Sequence, residues 1–219
     1  MKPKIKKINN YITLVSLGGV DSNFYLLGRR MIVDTTTGLH KKALDVASRQ
    51  LDITEGDITT VILTHEHFDH LGGLELFRNA KVLASEQTAK VLESADEKKS
   101  YAMFFNGKIS SRKTAACLKD KDTVRMGDTV IEIIHTPGHS EGSICLYIKK
   151  DKILISGDTI FADSIGRVDL LGGDEKEMIE SLEKLENLEI EMILPGHGEI
   201  IEKEGTKHIK NILDNLKSI

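Results

Sequence analysis

Cysteine is nearly absent from this chain. Cys117 and Cys145 are the only two and neither has a Cys-x-x-Cys partner, which excludes a thiolate metal site and a disulfide framework. Both are expected to be buried, reduced thiols. Long apolar runs are missing as well. No segment approaches the roughly 20 residues of a membrane span, and no apolar stretch follows Lys2, Lys4, Lys6 and Lys7 as it would in a secretory signal. A cytoplasmic protein with no membrane partner is expected. Those four lysines are the only basic cluster near a terminus, and they read as the solvated start of an edge strand. With a net charge of −4 and no basic groove, nucleic acid is not an expected partner. Aromatic residues are few: four tyrosines, six phenylalanines and no tryptophan.

What remains is the composition of an ordinary globular protein. Its 219 residues can bury a core without disulfides and are read as one domain, 1–219. Strands are predicted at 11–17, 23–27 and 30–33, the last two joined by a tight Gly28-Arg29 turn, giving a β-meander. A helix follows at 40–51, with Leu44, Ala47 and Leu51 on one face, and then a buried strand at 60–63. Gly72-Gly73 lies in a predicted helix over 71–77, before a strand at 81–84 and a helix capped by Ser85. Residues 94–122 break the rhythm and are predicted to be a helical insertion. Within them Tyr101, Phe104 and Phe105 stand at i, i+3 and i+4 and would share one helix face, either as core or as a wall over the site. Strands then return at 129–134, 143–148, 152–156 and 190–194, with amphipathic helices at 175–188 and 202–216.

Chemistry concentrates in Thr64-His65-Glu66-His67-Phe68-Asp69-His70. His65 and His67 can present imidazole nitrogens to one cation, while Asp69 and His70 turn toward a second. Three later segments each add a donor just after a predicted strand: His139 in Thr136-Pro137-Gly138-His139, Asp158 in Gly157-Asp158-Thr159, and His197 in Pro195-Gly196-His197-Gly198. Seven such side chains suffice for two ions. His40, His135 and His208 have no such context and are read as surface or strand-end residues. Glu66 and Phe68 are read as spacer and packing residues, and Arg167 as either an anion anchor or the partner of Asp169 in a buried ion pair.

His65-x-His67-x-Asp69-His70 with His139, Asp158 and His197 resembles the five-motif pattern of the metallo-β-lactamase-fold superfamily over nearly the whole chain, and within it the glyoxalase II-like hydrolases. The resemblance implies an α/β fold, a four-layer αββα sandwich. It implies that His65, His67 and His139 hold one ion, that Asp69, His70 and His197 hold the other, and that Asp158 bridges them. Asp34 matches a position that supports the metal loop, and Ser164-Ile165-Gly166-Arg167-x-Asp169 resembles a segment of the glyoxalase II-like and persulfide dioxygenase-like branches.

The chemistry of the donors agrees. Only a carboxylate can bridge two cations through its two oxygens. Two ions about 3.5–4 Å apart lower the pKa of a shared water toward about 7, so a dinuclear-metal-bound hydroxide is the expected nucleophile. Asp69 is the expected catalytic residue that aims it. Zinc suits the histidine-rich site, and iron or manganese would suit the second. The expected substrate is a small ester, thioester or lactone, since no tyrosine follows His197 as in glutathione-binding relatives and no further helical domain is expected. The alternative activity is a mononuclear-iron persulfide dioxygenase, followed by a phosphodiesterase or nuclease. Nothing in the sequence sets an oligomeric state.

Overall fold

The structure, a computed structural model, describes residues 2–218, and the chain divides into two compact units, residues 1–117 and 118–219. In the first unit β1 (Lys4–Lys7), β2 (Ile12–Ser16), β3 (Phe24–Leu27) and β4 (Met31–Val33) form the expected antiparallel meander. Lysines line the outermost strand β1, where their charge discourages further strand pairing. Every residue of β3 and β4 is buried, and Gly28, at φ 62°, makes the turn between them. The sheet then changes character: β5 (Thr60–Ile62) pairs parallel with β4, and β6 (Lys81–Ser85) parallel with β5. β7 (Ala116–Leu118) completes the order β1-β2-β3-β4-β5-β6-β7.

The intervening helices cover this sheet because their apolar residues recur at helical spacing. α1 (Lys41–Leu51) buries Ala43, Leu44 and Ala47 in a cluster with Phe24, Leu26, Ile32 and Val61. α2 (Phe68–Leu71) is a single turn, and α3 (Glu86–Ser94) starts at Ser85, whose hydroxyl accepts from Thr88 N at 3.3 Å. Since β4, β5 and β6 run parallel, their carboxyl ends share one edge, where α/β sheets place ligands. Asp34 follows β4 directly and the histidine-rich turn follows β5.

Two sequence expectations need correction here. The predicted helix over 71–77 is a 3₁₀ helix, Gly72–Phe77. Tertiary packing dictates it: a Cβ at Gly72 would press on Thr37 O and on the Phe68 ring, and one at Gly73 would overlap Thr35 O. Residues 94–122 are not a helical segment either. They hold one 3₁₀ turn, Ala102–Phe105, and then extended chain leading to β7. A 3₁₀ turn repeats every three residues, so the three aromatics do not share a face. Tyr101 and Phe104 associate, with centroids 5.4 Å apart, while Phe105 turns to Phe68 at 5.7 Å.

The second unit is a five-stranded sheet of order β12-β11-β10-β9-β8, built from β8 (Thr123–Met126), β9 (Thr129–His135), β10 (Ile144–Ile148), β11 (Ile153–Gly157) and β12 (Met192–Pro195). Neighbours are antiparallel except β11 and β12. Consequently β9, β11 and β12 point the same way, and the loops after all three, carrying His139, Asp158 and His197, emerge at one end. α4 (Glu175–Glu186) is capped by Asp174, which accepts from Glu177 N at 2.9 Å. It buries Met178, Leu182 and Leu185 with Ile209 and Leu213 of α5 (Gly205–Lys217) against Tyr147, Leu154 and Ile193. Among the described residues no helix is long and apolar enough to cross a membrane.

The cysteines differ from each other. Cys145 lies buried in β10, and burial pushes its thiol up to about 11, whereas Cys117, expected to be buried, is exposed on β7. Thiolate is the reactive form, so iodoacetamide at pH 8 is expected to modify one thiol of the native protein, Cys117, and both after denaturation. Equal labelling of the two native thiols by peptide mass spectrometry would contradict this packing.

Candidate metal centre

In the first unit the ligand turn is fixed by a buried carboxylate. Asp34 follows β4 in the left-handed region, φ 62°, a conformation that aspartate tolerates better than most residues. Its Oδ1 accepts from Thr64 N at 2.8 Å, and its Oδ2 accepts from Thr64 Oγ1 and from His70 Nδ1, each at 2.8 Å. Because Thr64 gives its only hydroxyl proton to Asp34, it accepts from His65 Nδ1 at 3.1 Å. Both histidines therefore carry the proton on Nδ1 and offer Nε2, the arrangement a metal site uses to orient imidazoles. His70 Nε2 lies 3.8 Å from Asp69 Oδ2. The His65 ring stands 4.7 Å from that of His67 and 4.1 Å from that of His70. His65, His67 and His70 are buried and Asp69 is partly exposed.

Backbone contacts hold the turn from several directions. His70 O accepts from Thr35 N at 2.7 Å and from Thr35 Oγ1 at 2.9 Å. Asp69 O accepts from Ser22 N, and Phe68 N donates to Ser100 O at 2.8 Å. Glu66, read as a spacer, is buried and accepts from Thr88 Oγ1 at 2.9 Å.

The second unit brings His139, Asp158 and His197 together. Asp158 Oδ2 is 3.6 Å from His139 Nε2 and 3.6 Å from His197 Nε2. That is too long for a good hydrogen bond and close to the roughly 3.4 Å between donors bonded at about 2.1 Å around one tetrahedral ion. His139 Nδ1 donates to Arg167 O at 2.8 Å, so its Nε2 too is the atom it can offer to a metal. Gly166 permits this approach, because a Cβ there would overlap Asp158 O and come within 2.9 Å of the His139 ring. The segment 164–169 thus serves the site through its backbone. The Arg167 side chain instead forms a two-pronged pair with Asp169 at 2.9 and 2.8 Å, and both side chains are exposed, not buried as the sequence suggested. Beneath the loops, Thr136 and Thr159 hydroxyls meet at 2.9 Å, next to the Cys145 thiol. Gly196 N donates to Gly157 O at 2.7 Å, tying the His197 loop to the end of β11.

All seven candidates thus fall into two sets, one per unit. His40, His135 and His208 belong to neither and pair instead with Asp21, Leu118 O and Phe161 O. Sequence reasoning missed Thr64, the Arg167 carbonyl and Gly166, although Thr64 opens the ligand motif and Gly166 lies in the segment singled out by resemblance. Imidazoles held in the Nε2-offering tautomer beside carboxylates suit divalent metal. Replacing Asp34 with asparagine puts an amide NH₂ where one carboxylate oxygen accepts. Asp34→Asn is therefore expected to weaken metal binding about 10- to 100-fold, and Gly166→Ala to lower metal content through His139. Chelator competition on the folded variants checks both, and unchanged affinity in both would refute the orienting role.

Comparison with known proteins gives this geometry its family. Residues 17–197, a span that includes every candidate ligand, match the Metallo-beta-lactamase superfamily. The chain is 31% identical over 216 residues to a Methanocaldococcus jannaschii protein named "Probable metallo-hydrolase", covering 94% of this chain and 98% of that one. It is 31% identical over 157 residues to acyl-coenzyme A thioesterase MBLAC2 of Homo sapiens, covering 62% of this chain and 54% of that one. The crystal structure of TTHA1623 in a di-iron-bound form superposes with a TM-score of 0.73 at 26% identity, covering 91% of this chain and 97% of that one. With its two sheets and five described α-helices, the chain belongs to the metallo-beta-lactamase superfamily, has its α/β fold, and is a metallo-hydrolase.

Proposed function

We propose that this protein is a dinuclear metallo-hydrolase of glyoxalase II-like type whose partner is a small-molecule thioester, with esters and lactones as lesser substrates. His65, His67 and His139 would hold one ion and Asp69, His70 and His197 the other, with Asp158 shared between them. The observation that carries the reading is Asp158 Oδ2, equidistant at 3.6 Å from two imidazole nitrogens. A carboxylate oxygen set between two such histidines is placed to serve the ions that each of them would hold. The thioester class is supported by the acyl-coenzyme A thioesterase named among the relatives.

Two divalent ions, zinc being the first choice for so many imidazoles, would lower the pKa of water from 15.7 toward about 7 and act as Lewis acids toward an attacked carbonyl. The chain's own residues do the positioning. Asp69 can ligate through one oxygen and accept a hydrogen bond from the attacking water through the other, aiming it. Asp34, Thr64 and Arg167 O keep three imidazoles in the tautomer that binds metal. Burial of His65, His67, His70 and His139 keeps competing water from these donors.

Purified full-length protein is expected to contain two metal ions per chain and to hydrolyse acyl thioesters. Asp158→Ala is expected to lose metal from both positions and to lower kcat/KM about 100-fold or more. Elemental analysis paired with a thiol-release assay checks this. One iron per chain with sulfide-dependent oxygen uptake would replace the hydrolase by the dioxygenase, and full activity in Asp158→Ala would end the bridging role.

A further inference from the structure

Two aromatic rings lead outward from the ligand turn. Tyr101 packs its ring edge-on to His67, with centroids 5.1 Å apart, and Phe104 continues the row 5.4 Å beyond Tyr101. Phe104 is 80% exposed and Met103 65%, the two most exposed large apolar side chains among the described residues. Phenylalanine left in water forgoes the gain from burial, so a ring this exposed beside a ligand row is a candidate binding surface.

The row is built rigidly. Tyr101 adopts φ 58° and Asn106 φ 49°, so left-handed residues bracket the 3₁₀ turn. Such a conformation costs a bulky residue roughly 1 kcal/mol or more and persists only where its surroundings hold it. They do so here. Ala102 is fully buried in the first unit's core, Phe105 packs on Phe68, and Gly107 closes under the Phe68 ring. Ser100 O accepts from Phe68 N within the ligand turn itself, and Ser100 Oγ accepts from Ala102 N. The turn is thus a wall fixed relative to His67 and not a lid.

We propose that Tyr101, Met103 and Phe104 form the surface on which the acyl chain of the substrate lies, making this a hydrolase selective for aliphatic acyl thioesters over acetyl thioesters. The inference rests on the thioester reading above and on His67 as a metal ligand. No charged residue interrupts the row from Tyr101 to Phe104, so it favours hydrocarbon over the polar, charged parts of a thiol carrier. Each methylene fully buried against the rings gains at most about fourfold in binding.

The test uses the metal-loaded full chain and a series of acetyl, butanoyl, hexanoyl and octanoyl esters of one small thiol. In the wild type kcat/KM is expected to rise by at least roughly tenfold across the series. In Phe104→Ala the rise is expected to shrink to less than about threefold, while the exposed Val130→Ala on β9 keeps it. Calorimetry with butanoate and octanoate reads the same surface without turnover: octanoate binds more tightly to the wild type, and the preference vanishes in Phe104→Ala. Equal chain-length dependence in wild type and Phe104→Ala, or none in the wild type, overturns the proposal. Retention of the octanoate preference by a wild type that cleaves no thioester would remove the proposed reaction and leave the apolar surface standing.

Discussion

The carboxylate of Asp34 is the constraint on which the first ligand set depends. It is almost wholly buried, and an isolated buried charge is prohibitively costly. Three donors offset that cost, two from Thr64 and one from His70. Those same donors sit in the ligand turn, so satisfying the carboxylate and orienting the imidazoles are one event. The consequence extends one residue further: Thr64, having committed its proton, receives that of His65. A single side chain just after β4 thereby fixes the tautomer of two histidines carried by the loop after β5. Parallel pairing of β4 with β5 makes this possible, because it sets the two strand ends side by side.

The second ligand set reaches the same end by different means. His139 is oriented by a neutral acceptor, the carbonyl of Arg167, where His70 has an anion. Either partner fixes the tautomer and ring orientation of its imidazole. The carbonyl can approach His139 only because residue 166 lacks a side chain. One set is built on charge compensation and the other on close backbone approach, and they fail differently: the first through a buried charge left unbalanced, the second through steric displacement.

Much of this was legible in the sequence because strand periodicity and ligand motifs are local signals. Buried runs such as Ile153–Gly157 and Met192–Pro195 announce themselves by composition, and the donors follow the strands closely. The departures are all places where tertiary packing overrides local pattern. Residues 71–77 have helical spacing, but Gly72 and Gly73 lie against the backbone of Thr35 and Thr37, and the chain tightens to 3₁₀. The i, i+3, i+4 spacing of Tyr101, Phe104 and Phe105 suggested one face until the shorter period split it. Cys117 was expected to be buried, as was an Arg167–Asp169 pair in one of two readings, and nothing local distinguishes their exposed positions from buried ones. Asp34 was legible only through resemblance, since its partners lie 30 and 36 residues away.

A metal held by donors of this kind would supply Lewis acidity that does not distinguish one carbonyl from another, so selectivity must come from the neighbours of the ligands. In the first unit the neighbours differ sharply in character. Glu66, within the ligand turn, is buried and bonded to Thr88, and its role there is internal. Tyr101, beside His67, begins a row that ends in an exposed ring. Covering a phenyl ring completely is worth about 1.5–3 kcal/mol, roughly a ten- to hundredfold preference. A wall of that strength, held to the histidine turn through Ser100 O and Phe68 N, would select among acyl groups without altering the residues that hold the metal.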